Sequence, residues 1–102
     1  MTIRKYRWSK HYESAEEELL RLFEAKHITA EQWELETGNQ VEAHNHEYDT
    51  TFWCAEGSVI FTVDGNRYSL QPGDALDVPA GITFEATAGI SGCVCYEAPV
   101  AK

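Results

Sequence analysis

Two glycine-bounded stretches decide the fold: residues 38–57 read GNQVEAHNHEYDTTFWCAEG, and residues 73–81 read GDALDVPAG. The first stretch holds His44 and His46, and this spacing on a β-strand directs both imidazoles to one face. The second stretch ends in Pro79-Ala80-Gly81, a strong turn signal. The chain has 102 residues, which predicts one domain with a single modest core.

Working outward, hydrophobic residues alternate with polar ones, as in half-buried strands. Trp33 and Leu35 alternate with acids, and Val59, Phe61 and Val63 repeat the pattern before Asp64-Gly65, a dipeptide suited to a type I′ hairpin. Other turn signals lie at Gly38-Asn39, Pro72-Gly73-Asp74, Pro79-Ala80-Gly81 and Ser91-Gly92. The pattern predicts seven or eight short strands in a small barrel or sandwich.

One helix is predicted over residues 13–27. Ser14 and Glu17 have the spacing of a capping box, in which each side chain bonds the other residue's backbone amide. Ala15, Leu19, Leu22, Phe23 and Lys26 follow a helical stripe that is apolar for much of its length. We therefore expect this helix to pack on the outside of the β domain.

The two stretches resemble the paired motifs of the cupin superfamily. The first family motif, G-(X)5-H-X-H-(X)3-E-(X)6-G, is matched by Gly38, His44, His46 and Gly57. The second, G-(X)5-P-X-G-(X)2-H-(X)3-N, is matched at three positions with every spacing kept: Gly73, Pro79 and Gly81. The resemblance implies an all-β cupin-type barrel (a double-stranded β-helix, or jelly roll) over residues 31–98 of a single domain, 1–102.

The departures from these motifs fall where cupins hold a metal ion. Thr50 stands at the glutamate position, Phe84 at the second-motif histidine and Ala88 at the asparagine. Asp49 precedes the glutamate position, so His44, His46 and Asp49 have the two-histidine, one-carboxylate composition of a non-haem iron site. The resemblance implies a divalent transition metal (Fe, Ni, Zn or Cu) or, with these replacements, none.

Each of these assignments has an alternative. The two histidines are either metal ligands or a polar pair that hydrogen-bonds a ligand or water. Asp49 is either a ligand or a turn residue that caps backbone amides. Cys54, Cys93 and Cys95 are either soft ligands or small core hydrophobes. The predicted pocket is lined by Trp33, Thr50, Phe52, Cys54 and Phe84, with Trp33 and Phe52 expected to contact a small organic ligand.

Charge limits the classes of partner. The chain carries eight Lys+Arg and seventeen Asp+Glu, a net charge of −9. All acids lie at Glu13 or later. The chain from Glu13 onward is therefore strongly acidic and would repel nucleic acid and anionic membranes. A basic arm, residues 1–12, is expected to add an edge strand to its own barrel or to a partner's. Three cysteines and no secretory signal favour a cytoplasmic protein, and the resemblance implies a homodimer.

Three functions remain open. The first is a cupin that binds a small molecule inside its barrel, with a degenerate metal site that is weak or empty. The second is a metal-dependent oxygenase, isomerase or decarboxylase that uses His44, His46 and Asp49. The third is a ligand-sensing regulatory module. The catalytic residues, the ligand and the reaction cannot be assigned from fold resemblance.

Overall fold

A computed structural model describes residues 2–8 and 15–100, apart from the side chains of Ala15 and of residues 42–44. The described elements are one helix, α1 (Ala15–Lys26), and seven strands: β1 (Arg4–Arg7), β2 (Glu31–Leu35), β3 (Gln40–His44), β4 (Thr50–Val63), β5 (Asn66–Leu70), β6 (Asp74–Val78) and β7 (Phe84–Pro99). No helix among these residues is long and apolar enough to cross a membrane.

Two long strands, β4 and β7, pair with each other and run through both halves of the barrel. The first half, here called the first sheet, contains the start of β4 and the end of β7 in the strand order β1-β6-β4-β7-β2. The second half, here called the second sheet, contains the end of β4 and the start of β7, where β5 pairs with β4 and β3 with β7. All pairs are antiparallel. The prediction of an all-β barrel is confirmed, although two of its strands are much longer than expected.

The turn predicted at Ser91-Gly92 is wrong, because both residues lie inside β7. The register between β4 and β7 shifts on either side of Gly57, and Gly57 and Gly92 both have positive φ. A Cβ on Gly57 would collide with the Gly92 carbonyl oxygen. These glycines allow the strands to bend from one sheet into the other without breaking. The Asp64-Gly65 hairpin has the positive φ at both residues that a type I′ turn requires.

The two faces of the first sheet form different cores. Phe52 and Cys54 face the barrel interior, whereas Trp53 and Ala55 belong to a cluster covered by α1. Leu19 and Phe23 of α1 are buried against that outer face, as the helical stripe predicts. The helix ends before His27, which has φ 54°. Ser14, the proposed N-cap, lies outside the described residues.

The basic arm joins its own barrel. β1 pairs antiparallel with β6, which is the first of the two expected arrangements. Its three cations face two buried carboxylates: Arg4 lies 3.3 Å from Asp77, and Lys5 and Arg7 lie 4.0 and 2.8 Å from Asp74. Ion pairing thus offsets part of the concentrated negative charge within the chain itself.

Candidate functional site: an aromatic cavity in the barrel

A cavity of about 210 Å³ opens at the β2 side of the barrel. Its lining is mostly apolar, with polar side chains contributed by β2 and β7. The lining residues are Glu31, Gln32, Trp33, Glu34, Leu35, Val41, Phe52, Phe61, Phe84, Ala86 and Glu97. Pockets for drug-sized ligands span about 300–1,000 Å³, so this cavity suits a smaller molecule.

Three phenylalanines form the floor of the cavity. The Phe52 ring centroid lies 4.7 Å from that of Phe61 and 5.0 Å from that of Phe84. All three side chains are buried, and Trp33 closes one wall with its ring centroid 6.3 Å from Phe61. Period-two alternation turns Trp33 and Phe84 inward. On β4, Phe52 and Phe61 have opposite parity, and the register shifts beside Gly57 bring both rings into the same core. The floor is therefore preformed by core packing.

The indole N–H of Trp33 is buried and has no hydrogen-bond partner among the described residues. A buried donor without a partner costs free energy, about 1–3 kcal/mol. Trp33 lines the cavity with the rest of its ring, because the indole nitrogen itself is buried away from the cavity surface. The ring therefore contributes apolar surface to the cavity, and its N–H does not face a bound molecule.

His46 is held in the loop between β3 and β4. Its Nδ1 lies 2.8 Å from the Thr50 hydroxyl, and its Nε2 lies 3.7 Å from the Glu97 carboxylate. The ring stacks on Tyr48 at 5.1 Å and meets Phe84 edge-on at 5.3 Å. Because β3 ends at His44, strand alternation does not extend to His46. The loop instead positions His46, through a hydrogen bond from the Gly81 amide to the His46 carbonyl.

Sequence reasoning missed Glu97. It lines the cavity beside His46, and its Cα is paired with that of Glu31 on β2. Cys93 and Cys95 are buried in the barrel core, and Glu97 continues their parity along β7. Extending that alternation by one step was the available signal.

Asp49 lies in the same loop as His46, but its carboxylate is engaged elsewhere. One oxygen accepts a hydrogen bond from the Ala80 amide at 2.8 Å. The Asp49 carbonyl also accepts from the Val100 amide at 2.8 Å. These contacts join the β3–β4 loop to the β6–β7 turn and to the residue that follows β7. Amide capping is the alternative to metal ligation for this residue.

The predicted metal set is therefore not assembled by the described side chains. No group of three His, Cys, Asp or Glu side chains among them is arranged to hold a metal ion. The side chain of His44 lies outside the described residues; its backbone pairs with Phe84. The residues placed here do not by themselves fit a resident metal, and the assignment of His44, His46 and Asp49 stays a prediction.

The remaining predicted pocket residues lie around the cavity. Thr50 is buried and contacts His46, whereas Trp33, Phe52 and Phe84 line the cavity itself. Cys54 lies deeper, opposite Cys95 in the register of β4 and β7, and is not among the lining residues.

The three cysteines form a group of free, buried thiols. The neighbouring Cys54 and Cys93 thiols, together with burial, raise the pKa of the Cys95 thiol far above its ordinary value. A hydrogen bond from Cys95 lowers the pKa of the Cys93 thiol.

Cys93 also lines a second, larger recess at the surface, of about 770 Å³. The lining of this recess includes the exposed residues Glu34, Glu36 and Glu56. Since that recess lacks the aromatic lining, the barrel cavity is the better candidate site for an apolar ligand.

Comparisons with known proteins agree with this geometry. A family model described as a cupin domain matches residues 31–88, more than half of the chain. Over 44 residues, the chain is 48% identical to the quercetin 2,3-dioxygenase of Bacillus subtilis (strain 168). That match covers 42% of this chain and only 13% of the dioxygenase.

Two solved structures share the fold across nearly the whole chain. A cupin superfamily protein from Desulfitobacterium hafniense has a TM-score of 0.66 and 15% identity, over 99% of this chain and 79% of that one. A DUF861 family protein from Thermotoga maritima has a TM-score of 0.65 and 13% identity, over 97% of this chain and all of that one. At these identities the likeness concerns the fold alone.

Proposed function

Because the chain belongs to the cupin superfamily, we propose that it binds a small, largely apolar molecule inside its barrel. The observation that carries this proposal is the cavity of about 210 Å³ over the Phe52, Phe61 and Phe84 floor. Phe84 occupies the position where the family motif has a histidine, so an apolar ring takes the place of a metal ligand. Binding and orientation, rather than metal chemistry, are what these side chains provide.

The cavity also defines features of the ligand. Its volume equals that of about seven water molecules, at roughly 30 Å³ each. Aromatic walls favour a planar or ring-containing group. A small ring compound satisfies both conditions.

Titration calorimetry with phenol tests the proposal. Ala86 is buried and lines the cavity, so the isobutyl side chain of Ala86→Leu is expected to fill it and abolish phenol binding. Ala80→Leu, the same change on an exposed turn residue, is the matched control. Wild-type protein that does not bind phenol, or Ala86→Leu protein that binds it normally, would contradict the proposal.

The second candidate is a metal-dependent enzyme that uses His44, His46 and Asp49. Its support is the partial match to a dioxygenase, together with the placement of His46 beside the cavity. Elemental analysis of untagged protein, purified without chelators, tests it. About one equivalent of Fe, Ni, Zn or Cu, lost in the His44→Ala/His46→Ala variant, would favour the enzyme over the binding protein.

A sensing module is the third candidate, and it requires a conformational or oligomeric change on ligand binding.

The homodimer and the cytoplasmic location also stay proposals. Three free thiols are compatible with a reducing compartment. Sedimentation velocity with and without phenol tests both the oligomeric state and its response to the ligand.

A further inference from the structure

We infer that the ligand of the barrel cavity is an organic cation, in which an ammonium or amidinium group is attached to a small apolar ring. This inference rests on the proposed function and specifies its ligand class. The positive group is placed between Glu31 and Glu97, and the ring lies over the phenylalanine floor. Three features of the cavity support this placement.

The first feature is a pair of like charges across neighbouring strands. Glu31 of β2 and Glu97 of β7 are directly paired in the antiparallel register, and both line the cavity. Like charges placed directly opposite in a sheet are destabilising. A cation between the two carboxylates would turn this repulsion into attraction.

The second feature is the absence of basic residues from the lining. No Lys or Arg is found among the cavity residues in the described part of the chain. The Nε2 of His46 lies 3.7 Å from the Glu97 carboxylate. An anionic ligand would meet repulsion at this mouth, and the net charge of −9 adds to it.

The third feature is the aromatic surface beneath the carboxylates. Trp33, Phe52, Phe61 and Phe84 all line the same cavity. Aromatic faces attract cations through the ring quadrupole, most strongly for Trp and where water is excluded. Aromatic walls below paired carboxylates therefore favour a protonated amine over a neutral analogue of the same shape.

Three probes that carry the same benzene ring test the inference by calorimetry: benzylamine, benzyl alcohol and benzoate. We expect benzylamine to bind about tenfold more tightly than benzyl alcohol, with benzoate the weakest, and its affinity to fall with added salt. If benzyl alcohol or benzoate binds as tightly as benzylamine, the cavity binds ligands and the inference about charge is overturned. If none of the three binds, the proposed function fails together with it.

Glu31→Gln removes one charge from the pair without changing the shape of the side chain. Its affinity for benzylamine is expected to fall about fivefold, and its affinity for benzyl alcohol to stay the same. Glu24→Gln makes the same change on the exposed surface of α1 and is the control. Equal losses for both probes in Glu31→Gln would show that Glu31 only shapes the cavity, which overturns its role as the cation partner.

Discussion

Asp74 forms ion pairs with two cations of the basic arm, Lys5 and Arg7. It is buried, accepts a hydrogen bond from Arg7 at 2.8 Å and another from the Gln71 amide at 2.9 Å. Asp74→Asn removes the charge and leaves the Arg7 guanidinium facing a neutral amide. We expect the free energy of unfolding to fall by about 2–3 kcal/mol, measured by urea denaturation.

Asp64→Asn provides the matched control for this change. Asp64 is exposed and has φ 50°, a conformation that Asn adopts readily. Its stability should stay within about 0.5 kcal/mol of wild type. Equal effects of the two substitutions would show that the contacts of Asp74 contribute nothing specific.

At this same scale, the limits of sequence reasoning are clear. Strand alternation and motif spacing are local properties, and they predict Trp33, Phe52 and Phe84 as pocket residues. The pairing of Glu97 with Glu31 depends on the register between distant strands, and the proximity of Glu97 to His46 depends on a loop conformation. Neither is encoded in a short window of sequence, so the pair of carboxylates at the cavity mouth could not be predicted.

At the scale of elements, α1 is held by an aromatic cluster on the outer face of the first sheet. The ring of Phe23 lies 4.8 Å from that of Trp53 and 5.6 Å from that of Tyr96. Phe23→Ala is expected to cost about 3–5 kcal/mol by thermal or urea unfolding. Leu20→Ala, on the exposed side of the same helix, should cost less than about 1 kcal/mol. A similar cost at both positions would argue against docking through Phe23.

Because of Tyr96 in this cluster, we expect the free energy of unfolding to vary with pH in the alkaline range. Burial, and secondarily the Glu16 carboxylate, raise the pKa of its phenol above the ordinary value of 10.0. The folded state therefore holds the proton more tightly than the unfolded state. The resulting stabilisation is complete below pH 10.0 and is lost as pH rises through the folded-state pKa.

Urea unfolding across this pH range measures the effect. Wild-type stability should decrease above pH 10.0, and Tyr96→Phe should decrease less steeply. Tyr96→Phe also loses the hydrogen bond from Gln32, so its stability at neutral pH should be lower by about 1 kcal/mol. Identical slopes for the two proteins would exclude Tyr96 as the source.

Glycine-containing dipeptides predict special backbone conformations from local chemistry. Asp64-Gly65 formed its hairpin because both residues tolerate positive φ. Ser91-Gly92 carries a similar signal, yet the long-range pairing of β7 with β4 keeps the strand continuous. Glycine marks a special backbone conformation, but tertiary pairing determines whether that conformation is a turn or a bulge.

At the scale of the whole molecule, charge is unevenly distributed. Deleting residues 1–8 removes Arg4, Lys5 and Arg7, and exposes the edge of β6 with its two buried aspartates. We expect a lower melting temperature that recovers partly as salt is raised from about 0.01 M to about 1 M, because screening weakens self-repulsion. The wild-type protein should respond less. A deletion variant with wild-type stability would show that the arm is dispensable.

The arm also bears on the predicted homodimer. Its described cations already pair with carboxylates of the same chain. We therefore expect a dimer, if sedimentation detects one, to resist salt. Loss of the dimer at high salt would instead indicate that the arm's charges are shared between subunits.

The continuity of β4 and β7 has a consequence for how the molecule opens. Each strand contributes backbone hydrogen bonds to both sheets, so neither sheet can separate while the other stays intact. Amide protons of Phe52 and Phe61, at opposite ends of β4, should then exchange with solvent through one shared opening event. In native-state hydrogen exchange, their opening free energies should converge at the same denaturant concentration, which would identify the barrel as a single cooperative unit.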